Sequence, residues 1–189
     1  MNFLRQNPEN RNYLMGSLPF SSIPDAPASY SATTVMSRMM DGLGYRYYWA
    51  SEGLTDEVLD YRAGPSCRNV RETLDHIHNL VQMIEFSLSG QTYPIPEPEI
   101  SPEVDVRVET LSAIERLSET FRNANSESAS EWKARFQMGE NHLEFPYWNM
   151  INGPMSDAIY HTGQVVSQRR AAGLPVNPTV NVFTGHNDA

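Results

Sequence analysis

The 189-residue chain lacks most of the features that support nucleic-acid binding, membrane insertion or disulfide stabilisation. Its formal net charge is −9 and its longest basic cluster is the pair Arg169-Arg170, whereas nucleic-acid binding needs a basic surface. Cys67 is the only cysteine, so no disulfide can form within the chain. No apolar run approaches the roughly 20 residues that span a bilayer, and the first residues contain no apolar signal-peptide core. We therefore expect a cytoplasmic protein with small-molecule or protein partners.

Apolar residues recur at helical spacing in four segments, and 40% of residues are hydrophobic, enough for a sizeable core. The spacing predicts helices over about 31–53, 69–89 and 101–123, and a last helix that ends before Gly173. Ser101 is the expected N-cap of the third helix, with Pro102 in its first turn.

The sequence predicts two possible starts for the last helix and a hairpin before it. The helix begins either near Pro154 or near Tyr147, and in the second case a kink is expected at Gly153-Pro154. Before it, apolar residues alternate within 132–138 and 143–145 around a Gly-Glu-Asn turn, a pattern that indicates a β-hairpin.

These elements predict an all-α fold, a four-helix bundle with a short β-hairpin before the last helix. We divide the chain into an N-terminal arm (1–28), the bundle (29–173) and a C-terminal tail (174–189). The stretch from Tyr93 to Pro98, which contains three prolines, is expected to be an extended linker.

The last helix carries the strongest candidate for chemistry. Asp157 and His161 are four residues apart, so their side chains lie on one helical face and can converge on one ion. The second helix can supply a third ligand from around His76, but His76 and His78 lie about 200° apart around its axis, so they cannot both face the same site. A plain solvated helix face remains the alternative on spacing alone. His142 and His186 are expected to be exposed.

The sequence at these positions resembles a known family. Residues 161–164 (HTGQ), with a ligand-type residue four positions earlier, resemble the H-x3-H-x-G-Q signature of the DinB/YfiT-like superfamily. Residues 69–76 (NVRETLDH) resemble the family's pattern on the second helix and select His76, not His78. Residues 169–173 (RRAAG) resemble the stretch with which sequences of the family usually end this region.

The resemblance implies a metal-binding four-helix bundle with His76, Asp157 and His161 as ligands to one divalent ion. The family commonly has histidine where this chain has Asp157, a harder ligand, so manganese, iron and nickel compete with zinc. It further implies a metal-dependent transferase that uses a low-molecular-weight thiol, or a hydrolase, in a homodimer. The alternative is a non-catalytic dimeric bundle with a vestigial metal site.

Overall fold

The computed structural model describes residues 17–188, and four long helices are the largest elements in that part of the chain. The long helices are α1 (Ala32–Ser51), α3 (Val70–Leu88), α4 (Val106–Asn123) and α6 (Ser156–Ala171), with short α2 (Asp56–Leu59) and α5 (Trp148–Met150) between them. Helices α1 and α3 each pack against both α4 and α6, and their buried apolar side chains form one core. The prediction of a mostly helical fold is confirmed. None of the described helices is long and apolar enough to cross a membrane.

Local capping explains where α1 and α3 begin. The Ser31 side chain accepts a hydrogen bond from the Thr34 amide, and the Thr34 side chain accepts one from the Ser31 amide. Asn69 and Glu72 form the same reciprocal arrangement at the start of α3. Each pair satisfies two amide groups that have no partner within the helix. Both helices begin within one residue of the predicted start.

Helix α4 begins later than predicted. Its N-cap is Asp105, which accepts from the Val108 amide at 3.1 Å, so the prediction of Ser101 as N-cap is wrong. Ser101 instead opens a turn that the Val104 amide closes with a 2.9 Å hydrogen bond to the Ser101 carbonyl. Pro102 occupies the second position of that turn, where its fixed φ is favourable.

The sheet is larger than predicted. Strands β2 (Lys133–Met138) and β3 (Asn141–Pro146) form the expected antiparallel hairpin, and Phe136 pairs with Leu143. Strand β1 (Thr92–Ile95) pairs with β2 in parallel, within the segment predicted as a linker. Because β1 lies at the edge of the sheet, it tolerates a proline without an N–H group. The described residues are thus mostly helical, and the all-α prediction is wrong for this sheet.

The segments before and after the long helices contact α1 and each other. The Ile23 amide donates to the Gly185 carbonyl at 2.8 Å, and the Tyr45 hydroxyl donates to Asn187 at 2.9 Å. The tail contains two short antiparallel strands, β4 (Val180–Asn181) and β5 (His186–Asn187). Residues 17–28 of the predicted N-terminal arm and the tail thus meet beside α1, and residues 1–16 of that arm lie outside the described part of the chain.

Helix α6 follows a kink. After α5, residues Ile151–Met155 form a π-helical turn in which Gly153 has non-helical dihedral angles (φ −92°, ψ −108°) and Pro154 follows. Of the two predicted starts for the last helix, the structure has the one near Tyr147, with the kink at Gly153-Pro154. Proline lacks the amide that a continuous helix needs at this point, which accounts for the break.

A buried carboxylate joins α1 to α4. The Asp41 side chain is fully buried, accepts a hydrogen bond from Ser118, and lies 3.0 Å from Arg122 and 3.7 Å from Arg38. Charged groups without water need such partners, because a buried unpaired charge costs several kcal/mol.

We expect Arg122→Met to lower the free energy of unfolding by about 3 kcal/mol, because it leaves the Asp41 carboxylate poorly compensated. Arg71→Met is the control: Arg71 pairs with Asp56 and Asp60 on the exposed surface, and its loss should cost less than about 1 kcal/mol. Chemical denaturation of both variants measures the difference. Equal losses would show that the α1–α4 charge cluster contributes no more than a surface pair.

His78 is a second buried polar group between helices. Its Nδ1 lies 3.0 Å from the Thr110 hydroxyl of α4. Burial lowers the pKa of the His78 imidazole, with Arg116 adding to the effect and Glu85 opposing it. The folded protein therefore holds this imidazole neutral at pH values where the unfolded chain, with a pKa near 6.5, takes up a proton.

We expect the free energy of unfolding to fall as the pH drops from about 6.5, because only the unfolded chain protonates His78 in that range. In His78→Gln the dependence between pH 7 and pH 5 should be shallower. The exposed His142 provides the control, since His142→Gln removes a side chain that loses little water on folding. Denaturation curves at pH 7, 6 and 5 measure the slopes, and an unchanged slope in His78→Gln would contradict the assignment.

Candidate metal centre

The packing of α3 against α6 brings the three predicted ligands together. Asp157 and His161 lie one turn apart on α6, and His76 faces them from α3. His76 Nε2 lies 3.6 Å from Asp157 Oδ2, and His161 Nε2 lies 3.5 Å from Asp157 Oδ1. One nitrogen or oxygen atom from each residue lies within 4.8 Å of the others. Within residues 17–188, these side chains form a group of three possible metal ligands.

These separations fit a shared ion better than a hydrogen-bonded cluster. Direct N–H···O hydrogen bonds have heavy-atom distances of about 2.7–3.2 Å, and both His–Asp distances are longer. Ligand atoms that surround an ion at 2.0–2.2 Å in tetrahedral geometry are about 3.3 Å apart. The two imidazoles and the carboxylate are therefore close enough for their side chains to converge on one divalent ion.

Gln164 fixes the orientation of the His161 ring. Its Oε1 lies 2.7 Å from His161 Nδ1, one turn further along α6. An amide oxygen only accepts hydrogen bonds, so this contact places a proton on Nδ1, and in the neutral ring the lone pair is then on Nε2, the nitrogen next to Asp157. This arrangement of a metal-binding histidine with an outer acceptor is common in metalloproteins.

The environment keeps His76 in the form that binds metals. Burial lowers the pKa of its imidazole, Arg68 and His161 lower it further, and Glu97 and Asp157 oppose the shift. A neutral imidazole at pH 7 has a free nitrogen lone pair and does not have to lose a proton to bind an ion.

The group is open on one side. The His161 side chain is 9% exposed and that of His76 is 18% exposed, whereas the Asp157 carboxylate is 42% exposed. Water or another small molecule can therefore approach from the side of Asp157. Structural metal sites are usually closed by four protein ligands, whereas catalytic sites keep a position open.

The kink before α6 determines where Asp157 points. The π-helical turn over Ile151–Met155 ends immediately before Ser156, and the Ser156 hydroxyl donates to the Ile151 carbonyl at 2.7 Å. Asp157 is consequently in the first turn of α6, where the helix dipole favours a carboxylate. Local π-helical geometry is frequent at functional sites.

Asp157 also lines a groove of about 680 Å³ beside the centre. The groove runs between the hairpin, the kink and α3, and apolar side chains form most of its wall: Leu80, Met83, Ile95, Phe136, Met138, Leu143, Phe145, Met150, Pro154 and Tyr160. The sequence analysis did not predict it. The alternating apolar residues of the hairpin were its only signal, and they do not show which surface they face.

The other candidates lie elsewhere. His78 points to α4, in agreement with the prediction that it does not share a site with His76, and His142 and His186 are exposed as expected. Gln168 continues the helix beyond Gln164, but its amide donates to the Arg68 carbonyl at 3.0 Å. Among the described residues these side chains are not part of the candidate centre.

Comparisons of the chain with protein-family models and with curated proteins find no match. The family resemblance of residues 69–76 and 157–164 therefore stays a prediction, and the geometry of the three side chains is the observation on which a function can be argued.

Proposed function

We propose that the chain is a cytoplasmic metal-dependent enzyme of the DinB/YfiT-like superfamily, with His76, Asp157 and His161 as ligands to one divalent ion. The observation that carries the proposal is the convergence of the three ligand atoms within 4.8 Å from two helices. The packing of four long helices around one core is compatible with the four-helix bundle of that superfamily.

The donor set suits several first-row ions. Two imidazole nitrogens and one carboxylate oxygen form a triad that zinc, nickel, manganese and iron all accept. Asp157 replaces the histidine that is common in the family, and its harder oxygen shifts the preference toward manganese and iron. Burial lowers the pKa of His76, and a neutral imidazole has no proton to lose before it binds an ion.

The exposed side of the candidate metal centre indicates the class of reaction. A divalent ion at an open site lowers the pKa of a thiol or water next to it, so that a nucleophile is available at neutral pH. Within the protein, Gln164 orients the His161 ring and the exposed edge of Asp157 leaves an approach for substrate. These features favour a transferase that uses a low-molecular-weight thiol, or a hydrolase, acting on a small-molecule substrate.

The alternative is a non-catalytic homodimeric bundle with a vestigial site, in which aspartate at position 157 has abolished metal binding. The openness of the centre and the adjoining groove favour the catalytic proposal, because a vestigial or structural site has no need of either. The two proposals differ in what the purified protein binds.

We expect the purified protein to hold close to one divalent ion per chain after reconstitution with zinc, nickel, manganese or iron, and His161→Ala to hold much less. Elemental mass spectrometry on extensively dialysed samples measures the stoichiometry. His142→Ala is the matched control, because it removes an exposed histidine that is not one of the three ligands and should leave the bound metal unchanged.

A wild-type protein that stays empty with all four ions would overturn the metal proposal and favour the non-catalytic bundle. Equal loss of metal in His161→Ala and His142→Ala would show that the ion binds nonspecifically to histidines.

We expect Gln164→Leu to weaken zinc affinity by about 10- to 100-fold, because the His161 ring loses the acceptor that holds its Nδ1 proton. Gln164→Glu retains an acceptor oxygen and should bind zinc close to wild type. Competition with a chromophoric chelator measures both dissociation constants. If Gln164→Leu binds zinc as tightly as Gln164→Glu, the hydrogen bond does not orient the ligand.

A further inference from the structure

We infer that the substrate of the proposed metal centre is amphipathic: an apolar chain or ring lies in the groove beside Asp157, and a polar metal-binding group lies at the triad. This inference rests on the proposed function and adds the class of substrate to it. It is carried by the composition of the groove and by Asp157, which belongs to both the groove and the triad.

The groove wall exposes more apolar surface than packing requires. Met138, Leu143, Phe145 and Tyr160 line it and are between 37% and 64% exposed. In the hairpin, Phe136 pairs directly with Leu143 and neighbours Phe145 at a ring-centroid distance of 6.1 Å, so one face of β2 and β3 forms a continuous apolar wall. Apolar side chains that remain exposed together usually mark a binding surface.

The polar residues of the groove are confined to one side. Asn149, Asn152, Ser156 and Asp157 all come from α5, the kink and the first turn of α6, whereas the hairpin contributes only apolar side chains. A ligand in this groove would therefore meet apolar surface along the hairpin and polar groups along the kink. Such division of one pocket favours a molecule with distinct apolar and polar ends.

Asp157 sets the direction of that molecule. Its carboxylate oxygens lie 3.5 and 3.6 Å from the two histidine nitrogens, and the same side chain lines the groove. Tyr160, which also lines the groove, contacts the His161 ring edge-on at a centroid distance of 5.3 Å. The polar end of a bound molecule thus reaches the triad, while its apolar end extends toward Phe145 and Leu143.

We expect the groove to bind small apolar groups of varied shape. Met83 and Met138 contribute flexible, polarisable side chains to the wall, and such side chains adapt to differently shaped ligands. A volume of about 680 Å³ lies within the range of small-molecule pockets. The continuity of the groove with the triad favours a small ligand over a second copy of the chain, because a protein surface would not deliver a metal-binding group to Asp157.

The test compares two hydroxamates on the zinc-loaded protein by isothermal titration calorimetry. Octanohydroxamate and acetohydroxamate have the same metal-binding group, and only the first has a chain long enough to enter the groove. We expect octanohydroxamate to bind at least about tenfold more tightly, which requires burial of roughly two of its six additional methylenes. Phe145→Ser and Leu143→Ser should remove most of this preference.

Phe183→Ser is the matched control, because Phe183 is a 97% exposed phenylalanine outside the groove. It should keep the wild-type preference. Circular dichroism and bound zinc confirm that each variant is folded and loaded, and having two separate groove variants guards against the misfolding of one.

Each outcome separates the two proposals. Equal affinity for both hydroxamates with zinc bound overturns the amphipathic substrate and leaves the metal centre standing. If no zinc binds, the metal centre fails, and octanol, which has no chelating group, then tests the groove in the metal-free protein. Octanol binding that Phe145→Ser abolishes supports the apolar site, and no octanol binding overturns it. A dimer that Phe145→Ser dissociates, with no hydroxamate preference, would assign the groove to a contact between copies and overturn the inference.

Discussion

The position of α6 along its neighbouring helices is the constraint on which the candidate centre depends. Arg169, only 4% exposed, donates to the Trp49 and Ala50 carbonyls at the end of α1, and Gln168 donates to the Arg68 carbonyl just before α3. These bonds hold α6 to both helices at its C-terminal end. A shift of one residue would move His161 by about 1.5 Å and turn it by about 100°, away from α3. Contacts two turns from the centre therefore determine whether its ligands meet.

The opposite end of α6 is constrained by the backbone break at Gly153-Pro154. The break lets the chain arrive through α5 in one direction and continue as α6 in another, so that Asp157 enters in the first turn. Asn152, Gly153 and Pro154 of the break also line the groove. The same irregular turn thus positions a candidate ligand and shapes the pocket next to it.

Local signals in the sequence predicted the parts of this structure that depend on neighbouring residues. Apolar residues at helical spacing predicted α1 and α3, and the four-residue spacing of Asp157 and His161 predicted that they lie side by side. The parts that depend on residues distant in the sequence could not be predicted from local signals. Strand β1 is stabilised by pairing with β2, about 40 residues away, and no local pattern predicts a strand that contains Pro94. His76 entered through the family resemblance, because the packing of α3 on α6 has no local signature.

Asp157 explains why the centre and the groove should be considered together. As a carboxylate it would leave a bound divalent ion with a smaller net positive charge than three neutral histidines would, and it is the most exposed of the three ligands. A molecule in the groove therefore approaches the centre at its anionic, accessible ligand rather than at the buried imidazoles. Electrostatic repulsion at this edge would disfavour an anionic group unless an ion were bound and offset the carboxylate charge. Occupation of the triad and recognition of an anionic substrate would thus be physically coupled through one side chain.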